Sequence, residues 1–393
     1  MLEHGSDEAQ KTVLTQNGKY VDISNFSSAK RGVNHLSQEE FLGLFKNLRL
    51  RVDLTPKCNI WCVFCSNEGS NYAAKKQSPI NIDLVTTLGD ILLENTPLHS
   101  IDLSGGEPTL HPDFYGKHFV LVEWTKKHPE TRFSIHSNGI NLDPEIIDAI
   151  KSNFSRIGLS VHSLNFETWN KITNLGGRFP ITQQRIKFDR MMTNIEYIAS
   201  QDIGDKIFFK SVIIRGINDS EEELKTMLDF CAKNHFHPKL LEFEPQYKEQ
   251  EKYVVGRKEL FEKLENIGCS FAKDAPRHND PNTYIPGVNF EYRASEGAKM
   301  GLHSIFGCGD KAACESCYLF LCMFVKPSEN GGGIYLKPCS VTDTRIDLTK
   351  AVRDKDIQQT LSLFKFSREY LMHAPGLNSN NWNKEPEYGE DFK

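Results

Sequence analysis

From residue 48 the chain alternates between two hydrophobic rhythms. Short apolar runs read as strands at 50–54, 100–103, 132–136, 156–161, 206–214 and 239–243. Between them, apolar residues recur at helical spacing over 83–94, 114–128, 144–152, 189–201 and 221–234. Strands alternating with helices predict βα units and a parallel sheet. Six strands are too few to close an eight-stranded barrel. They fit a partial one, an α/β fold of the TIM-like (β/α)6 kind. In such folds functional groups gather at the C-terminal ends of the strands.

Before this region, residues 1–45 are polar and weakly periodic, so they read as an extension, partly disordered, with a helix at 38–47. The extension is either a disordered tail or an element that recognises a leader peptide. After about residue 250 the rhythm breaks. Residues 273–300 are rich in Pro, Asn, Gly and Asp and read as loop, and a cysteine-rich stretch and a polar tail follow. The expected division is an extension (1–45), a partial barrel (46–250) and a C-terminal region (251–393) that carries the second cysteine group.

Charge and composition narrow the classes. The 47 basic and 52 acidic residues leave a net charge of −5, which disfavours a bulk nucleic-acid-binding surface and leaves room for a local basic pocket. No apolar run reaches the length of a membrane helix. The first twenty residues hold no apolar signal core, so a cytoplasmic chain is expected. Its ten cysteines then need explaining as thiols or ligands. Cys231 and Cys269 stand apart and read as small buried hydrophobes.

Three other cysteines sit directly after the first strand, in Cys58-Asn-Ile-Trp-Cys62-Val-Phe-Cys65. Three thiolates at this spacing can converge on a 4Fe–4S cubane. Four would close all its irons, whereas three leave one iron open to a cosubstrate. A zinc site and unpaired thiols are the alternatives, and zinc sites ordinarily take four ligands from paired CxxC units.

This CxxxCxxC segment, with Phe64 before its last cysteine, resembles the signature of the radical S-adenosylmethionine (SAM) superfamily. The resemblance implies that the open iron binds SAM, whose reductive cleavage yields a 5′-deoxyadenosyl radical that abstracts hydrogen from a substrate. It further implies an electron donor such as flavodoxin or ferredoxin. Ser104-Gly105-Gly106-Glu107-Pro108 matches the superfamily's GGEP motif, which implies that Gly105, Gly106 and Glu107 orient the methionine ammonium. Asn138, Ser160 and Arg215 fall after later strands and become candidates for SAM's ribose, carboxylate or adenine.

A second group, Cys308, Cys314, Cys317, Cys322 and Cys339, follows the barrel. A CxxC pair with a later cysteine is a ligand pattern for a second 4Fe–4S cluster or for structural zinc. The run from residue 65 to residue 245 is similar to the molybdenum-cofactor biosynthesis A group, whose C-terminal cysteine triad holds an auxiliary cluster in a twitch or SPASM-type domain. That likeness implies Cys314, Cys317 and Cys339 as the triad, with Cys308 or Cys322 as an extra ligand. The group also suggests a nucleotide cyclase. Here, however, the stretch Tyr318–Phe324 carries no arginine, and an apolar run cannot pair with phosphates. The leading expectation is therefore oxidation, cyclisation or rearrangement of a peptide or small molecule. A nucleoside or nucleotide cyclase is the alternative, and a non-catalytic iron–sulfur or zinc scaffold the second alternative.

Overall fold

The structure, a computed structural model, describes residues 12–14, 20–22, 37–46, 48–65, 78–114, 120–243, 245, 248–271, 287–293, 299–305, 322–328, 332–338 and 345–373. The six expected strands are all present. They are β3 (Arg49–Asp53), β4 (Ser100–Ser104), β5 (Arg132–Ser137), β6 (Arg156–Ser160), β7 (Ile207–Ile213) and β8 (His237–Glu242), each hydrogen-bonded in parallel to the next. The fold is a partial, TIM-like α/β barrel.

Both edges of this sheet continue with later strands. β11 (Lys299–Ile305) pairs in parallel with β8, and β12 (Cys322–Pro327) pairs in parallel with β3. Antiparallel strands flank them: β10 (Gly287–Arg293) and β9 (Cys269–Phe271) on one side, β13 (Ile334–Lys337) and β14 (Ile346–Asp347) on the other. The order among described residues is β14-β13-β12-β3-β4-β5-β6-β7-β8-β11-β10-β9. A loop across 273–300 is therefore corrected at residues 287–293 and from 299 onward. Val288, Phe290 and Tyr292 alternate with polar residues as a strand requires, and the surrounding Pro and Asn hide that period. In the N-terminal extension, β1 (Thr12–Leu14) and β2 (Tyr20–Asp22) pair antiparallel.

Helices α1 (Gln38–Phe45), α2 (Ile82–Asn95), α3 (Val120–Lys126), α4 (Pro144–Ile150), α5 (Phe166–Thr173), α6 (Ile181–Ala199), α7 (Glu221–Lys233) and α8 (Arg257–Asn266) are joined near the C-terminus by α9 (Thr349–Arg353) and α10 (Ile357–His373). Side-chain caps start several of them. Asn81 accepts from the Asp83 N–H, Asp143 from Ile146, Asn165 from Thr168 and Ser220 from Glu223. Helix α5 was not expected from the sequence, and α6 begins eight residues before the expected start at 189.

The odd–even alternation of the strands separates two environments. Leu50, Val52, Ile101, Leu103, Phe133, Ile135, Ile157, Leu159 and Phe209 lie in the apolar core, together with α2 residues Leu84, Leu88 and Leu92. Cys231 and Cys269 belong to this core as well. The other face carries charge. Among the described residues no helix is long and apolar enough to cross a membrane.

Candidate functional site

Strand β3 delivers the chain into the cysteine loop at Leu54, whose N–H donates to the Ser104 carbonyl at the end of β4 (2.8 Å). Two further bonds join this loop to the GGEP turn: Gly106 N–H to the Thr55 carbonyl at 2.6 Å and Glu107 N–H to the Lys57 carbonyl at 2.7 Å. The approach is too close for side chains. A Cβ on Gly105 would stand 2.6 Å from the Thr55 carbonyl oxygen, and one on Gly106 would stand 2.2 Å from that of Lys57. Gly105 also has φ = +133°, which disfavours any side chain. These glycines thus admit the backbone of the cysteine loop itself.

On its other side the loop is tied to the end of α5. Trp61 N–H donates to the Thr173 carbonyl (2.8 Å), Val63 N–H to that of Ile172 (2.9 Å), and Leu175 N–H to that of Trp61 (2.9 Å). Cys58, Cys62 and Cys65 are half-buried, and none is in a disulfide. Burial pushes the Cys58 thiol up to about 12, with Glu107 and Cys65 adding to the rise. Burial, then the neighbouring charges of Cys58 and Cys65, raises Cys62 well above the ordinary thiol range. Cys58 and Cys62, whose ionisation burial and neighbouring charge suppress, lie beside Cys65 in a set whose charge a metal centre would relieve. Among the described residues, no three His, Cys, Asp or Glu side chains gather tightly enough for a single metal ion.

Glu107, 1% exposed, is held by its own protein. Oε1 accepts from Thr109 N–H (3.3 Å), Thr109 Oγ1 (2.7 Å) and Ser137 Oγ (2.8 Å), and Oε2 accepts from Asn138 N–H (2.7 Å). Burial raises its pKa against these four donors. The carboxylate therefore clamps the GGEP turn to the end of β5. Asn138 in turn donates through Nδ2 to Asn59 Oδ1 (2.7 Å) and, weakly, to Cys58 Sγ (3.9 Å), so it braces the cysteine loop. Ser160 ends β6, half-buried and in register with Lys210. Arg215 follows β7 and is engaged by α8. Its guanidinium grips Glu259 of α8 through two bonds (3.0 and 2.6 Å), and its Nε donates to the Val254 carbonyl (2.9 Å).

His162 covers the cysteine loop from β7's side. Its ring lies 4.7 Å from that of Phe64, its Nδ1 accepts from Val212 N–H (3.2 Å), and its φ is +69°. Burial, then the charge of Lys210, pushes its pKa down to about 3, so the ring is neutral.

The charged face of the sheet is a feature that the sequence reading did not anticipate. Arg49 and Arg51 (β3), Arg156 (β6), Lys210 (β7), Lys239 (β8) and Lys326 (β12) share it with Asp53 and Asp102. Arg49 approaches Asp102 at 3.8 Å, Lys326 reaches Asp53 at 2.8 Å, and Arg51 donates to Ser104 Oγ at 2.7 Å. His136 Nε2 faces Asp102 at 3.4 Å, and its Nδ1 meets the Lys210 ammonium nitrogen. A Cβ at Gly158 would lie 2.5 Å from His136 Nδ1 and 2.7 Å from Lys210 Nζ, so a larger residue there would displace this pair. Burial opposes ionisation of Asp102, yet the His136 hydrogen bond and Arg49 hold its carboxyl well below the usual range. Burial and the charges of Lys239 and Arg51 push Lys210 well down. Burial and Arg49 bring Lys239 to about 8. In the sequence Lys210 is a single charge inside an apolar run, Ile-Phe-Phe-Lys210-Ser-Val-Ile, whereas Arg49 and Arg51 alternate with leucines. A charge at an inward strand position was the available signal.

Of the second cysteine group, Cys308, Cys314, Cys317 and Cys339 lie outside the described residues. Cys322 opens β12 opposite Arg49, the first residue of β3. Its backbone is thus at the other end of the sheet from the first cysteine loop, about 15 Å away along the strand.

Comparison with known proteins agrees with this geometry. Residues 52–231 match the profile of the radical SAM superfamily. The chain is 26% identical over 243 residues to the probable GTP 3′,8-cyclase of Thermococcus kodakarensis, covering 60% of this chain and 71% of that protein. It is 26% identical over 316 residues to the GTP 3′,8-cyclase of Trichodesmium erythraeum, covering 78% and 85%. It is 25% identical over 340 residues to that of Nostoc punctiforme, covering 84% and 92%. Among solved structures, native anSMEcpe with bound AdoMet aligns over 56% of this chain and 58% of its own, at 18% identity and a TM-score of 0.43, a likeness too slight to carry an argument. Residues 52–231 are a radical SAM domain, and the chain that carries it is an enzyme.

Proposed function

We propose that this enzyme acts on a nucleotide, held by its phosphates on the cationic face of the sheet, and that it cyclises or rearranges that substrate. One observation carries the reading: six basic side chains converge there on two acids, in a chain whose net charge is −5. Excess positive charge, held in half-buried positions by all of these but the exposed Arg49, is costly until an anion arrives. Lys210 and Lys239 register that cost in their lowered proton affinities. The relatives' name, GTP 3′,8-cyclase, points the same way. The lack of arginine in Tyr318–Phe324 weighs less once the strands themselves supply cations. A peptide substrate has no comparable observation behind it.

Cys58, Cys62 and Cys65 would hold the 4Fe–4S cluster, and the GGEP turn, Asn138 and Ser160 would shape the SAM pocket beside it. When bound, the cluster and SAM supply a 5′-deoxyadenosyl radical that removes hydrogen from the substrate. The protein's part is to fix the cysteine loop through Gly106, Glu107 and Asn138, and to cover it with Phe64 and His162. Arg215, engaged by Glu259, is left out of this set. Cys314, Cys317 and Cys339, with Cys308 or Cys322, are proposed to hold an auxiliary 4Fe–4S cluster. Reduced thiols and a low-potential electron supply suit the cytoplasm.

The test is calorimetric titration with GTP, other nucleoside triphosphates and a nucleoside. Triphosphates should bind, the nucleoside should bind much more weakly, and Arg51→Ala or Lys210→Met should each weaken triphosphate affinity by about tenfold or more. Equal affinity for nucleoside and triphosphate would refute phosphate recognition.

A further inference from the structure

The connection that bonds to the cysteine loop from outside carries an unusual surface. Residues 166–190 contain five basic and two acidic residues, against the negative charge of the whole chain. Three large apolar side chains stand exposed within it: Leu175 at 36%, Ile181 at 56% and Ile186 at 68%. Among the described residues only Val120 and Ile357 are also large, apolar and comparably exposed. Three cations of the same connection are held mainly on aromatic rings. Arg178 lies 4.0 Å from the centroid of the Trp61 ring, Arg185 lies 3.5 Å over Phe166, and Lys187 lies 3.6 Å over Phe179. Stacking presents a charge without neutralising it. The one acidic contact within the group, Arg185 with Glu167 at 3.5 Å, is exposed and weak.

This surface is also coupled to the cluster loop. The exposed Leu175 donates its N–H to the Trp61 carbonyl, and that carbonyl belongs to the peptide bond leading into Cys62. The route from surface to sulfur therefore crosses one hydrogen bond and then covalent bonds only. Val63, on the other side of Cys62, is bonded to Ile172 of the same connection. Lys187 is close enough for the Cys58 thiolate charge to act on it.

We propose that Leu175, Ile181 and Ile186, together with Arg178, Arg185 and Lys187 of the same connection, form the docking surface for an acidic one-electron carrier protein bearing a flavin or an iron–sulfur cluster. The inference rests on the radical SAM assignment, which requires one electron per cleavage. In the docked complex one electron leaves the reduced carrier, which is oxidised by one equivalent, and enters the centre held by Cys58, Cys62 and Cys65. No atom is transferred. An apolar centre with a charged rim is the composition of transient protein interfaces, and cations facing an acidic partner accelerate encounter. A second copy of this chain is disfavoured as occupant, because a two-fold contact would set these cations against themselves.

The test uses the full-length, anaerobically reconstituted protein and an acidic flavodoxin in its hydroquinone form. Ile186→Asp and Arg185→Glu alter exposed residues outside the cofactor and substrate sites. Flavodoxin should bind the wild type with an affinity that falls as salt rises. Each variant should weaken that binding about tenfold and slow flavodoxin oxidation in proportion. Iron content and dithionite-driven 5′-deoxyadenosine formation should stay at wild-type levels. The binding measurement decides whether or not 5′-deoxyadenosine forms, so failure of the assignment and failure of the docking surface are separable. Unchanged flavodoxin affinity in both variants overturns the proposal. So does equal loss with dithionite and with flavodoxin, loss of a wild-type dimer in the variants, or wild-type binding to anionic vesicles or DNA as tight as to flavodoxin.

Discussion

The backbone N–H of Asn138 donates to Oε2 of Glu107 at 2.7 Å, while the Asn138 side chain reaches Asn59 in the cysteine loop at the same distance. One acidic residue in the GGEP turn thereby sets the position of a loop 42 or more residues earlier in the chain.

Glu107→Gln places an amide N–H₂ among groups that are all donors. Either the Asn138 N–H or the Ser137–Thr109 donors lose their acceptor. A buried unpaired donor costs about 1–3 kcal/mol. The variant should melt earlier by circular dichroism and bind SAM more weakly, whereas Glu107→Asp should recover neither fully.

Gly106→Ala drives a methyl group against the Lys57 carbonyl, 2.2 Å away. Backbone cannot step aside as a flexible side chain can, so an overpacking cost of about 1–3 kcal/mol is expected. The cysteine loop should shift, and iron and sulfide content after reconstitution should drop below the wild-type ratio.

Much of this architecture was legible in the sequence, for a physical reason. Each strand places apolar residues at alternate positions on its core face, between segments of helical period, and all six from 50 to 243 were found from that rhythm. The cysteine loop and the GGEP turn were legible because their residue types are tied to chemistry. Helix α5 was missed because Phe166, Trp169 and Ile172 span barely two turns. The charged inner face was missed because cations set among apolar residues look like ordinary polar strand positions. The pairing of Arg215 was not legible because Glu259, its partner, lies 44 residues away in a helix beyond the expected barrel.

Lys239 should make nucleotide binding depend on pH. With its proton affinity lowered to about 8, it is charged below that pH and neutral above it. Affinity for a triphosphate should hold steady up to about pH 7.5 and fall through pH 8–9, and Lys239→Arg should remove the fall. Without ligand the sign reverses for stability. Between about pH 8 and 10.5 the unfolded chain binds the extra proton, so stability should rise with pH there. Chemical denaturation at several pH values checks both signs.

His136 and His162 are each pushed to about 3, chiefly by burial. The unfolded chain takes up these protons near pH 6.5. Their contribution to stability is complete above that pH and is lost progressively as the pH falls toward 3. Thermal unfolding of the metal-free protein should show its midpoint falling below pH 6.5. His162→Asn keeps an acceptor and tolerates the positive φ, and it should flatten part of that slope.

Arg215→Ala should leave SAM affinity unchanged and cost about 0.2–1 kcal/mol, the range of an exposed ion pair. Equilibrium dialysis with labelled SAM and a melting curve settle both points. A large loss of SAM binding would place Arg215 in the cofactor site after all.

The most direct test supplies the reduced, reconstituted enzyme with SAM and a panel of nucleoside triphosphates deuterated in the sugar, and weighs the 5′-deoxyadenosine formed. One triphosphate should pass deuterium into it and raise its rate of formation above the unstimulated level. Unlabelled 5′-deoxyadenosine at an unchanged rate with every nucleotide would contradict a nucleotide substrate, and none at all would contradict the radical chemistry itself.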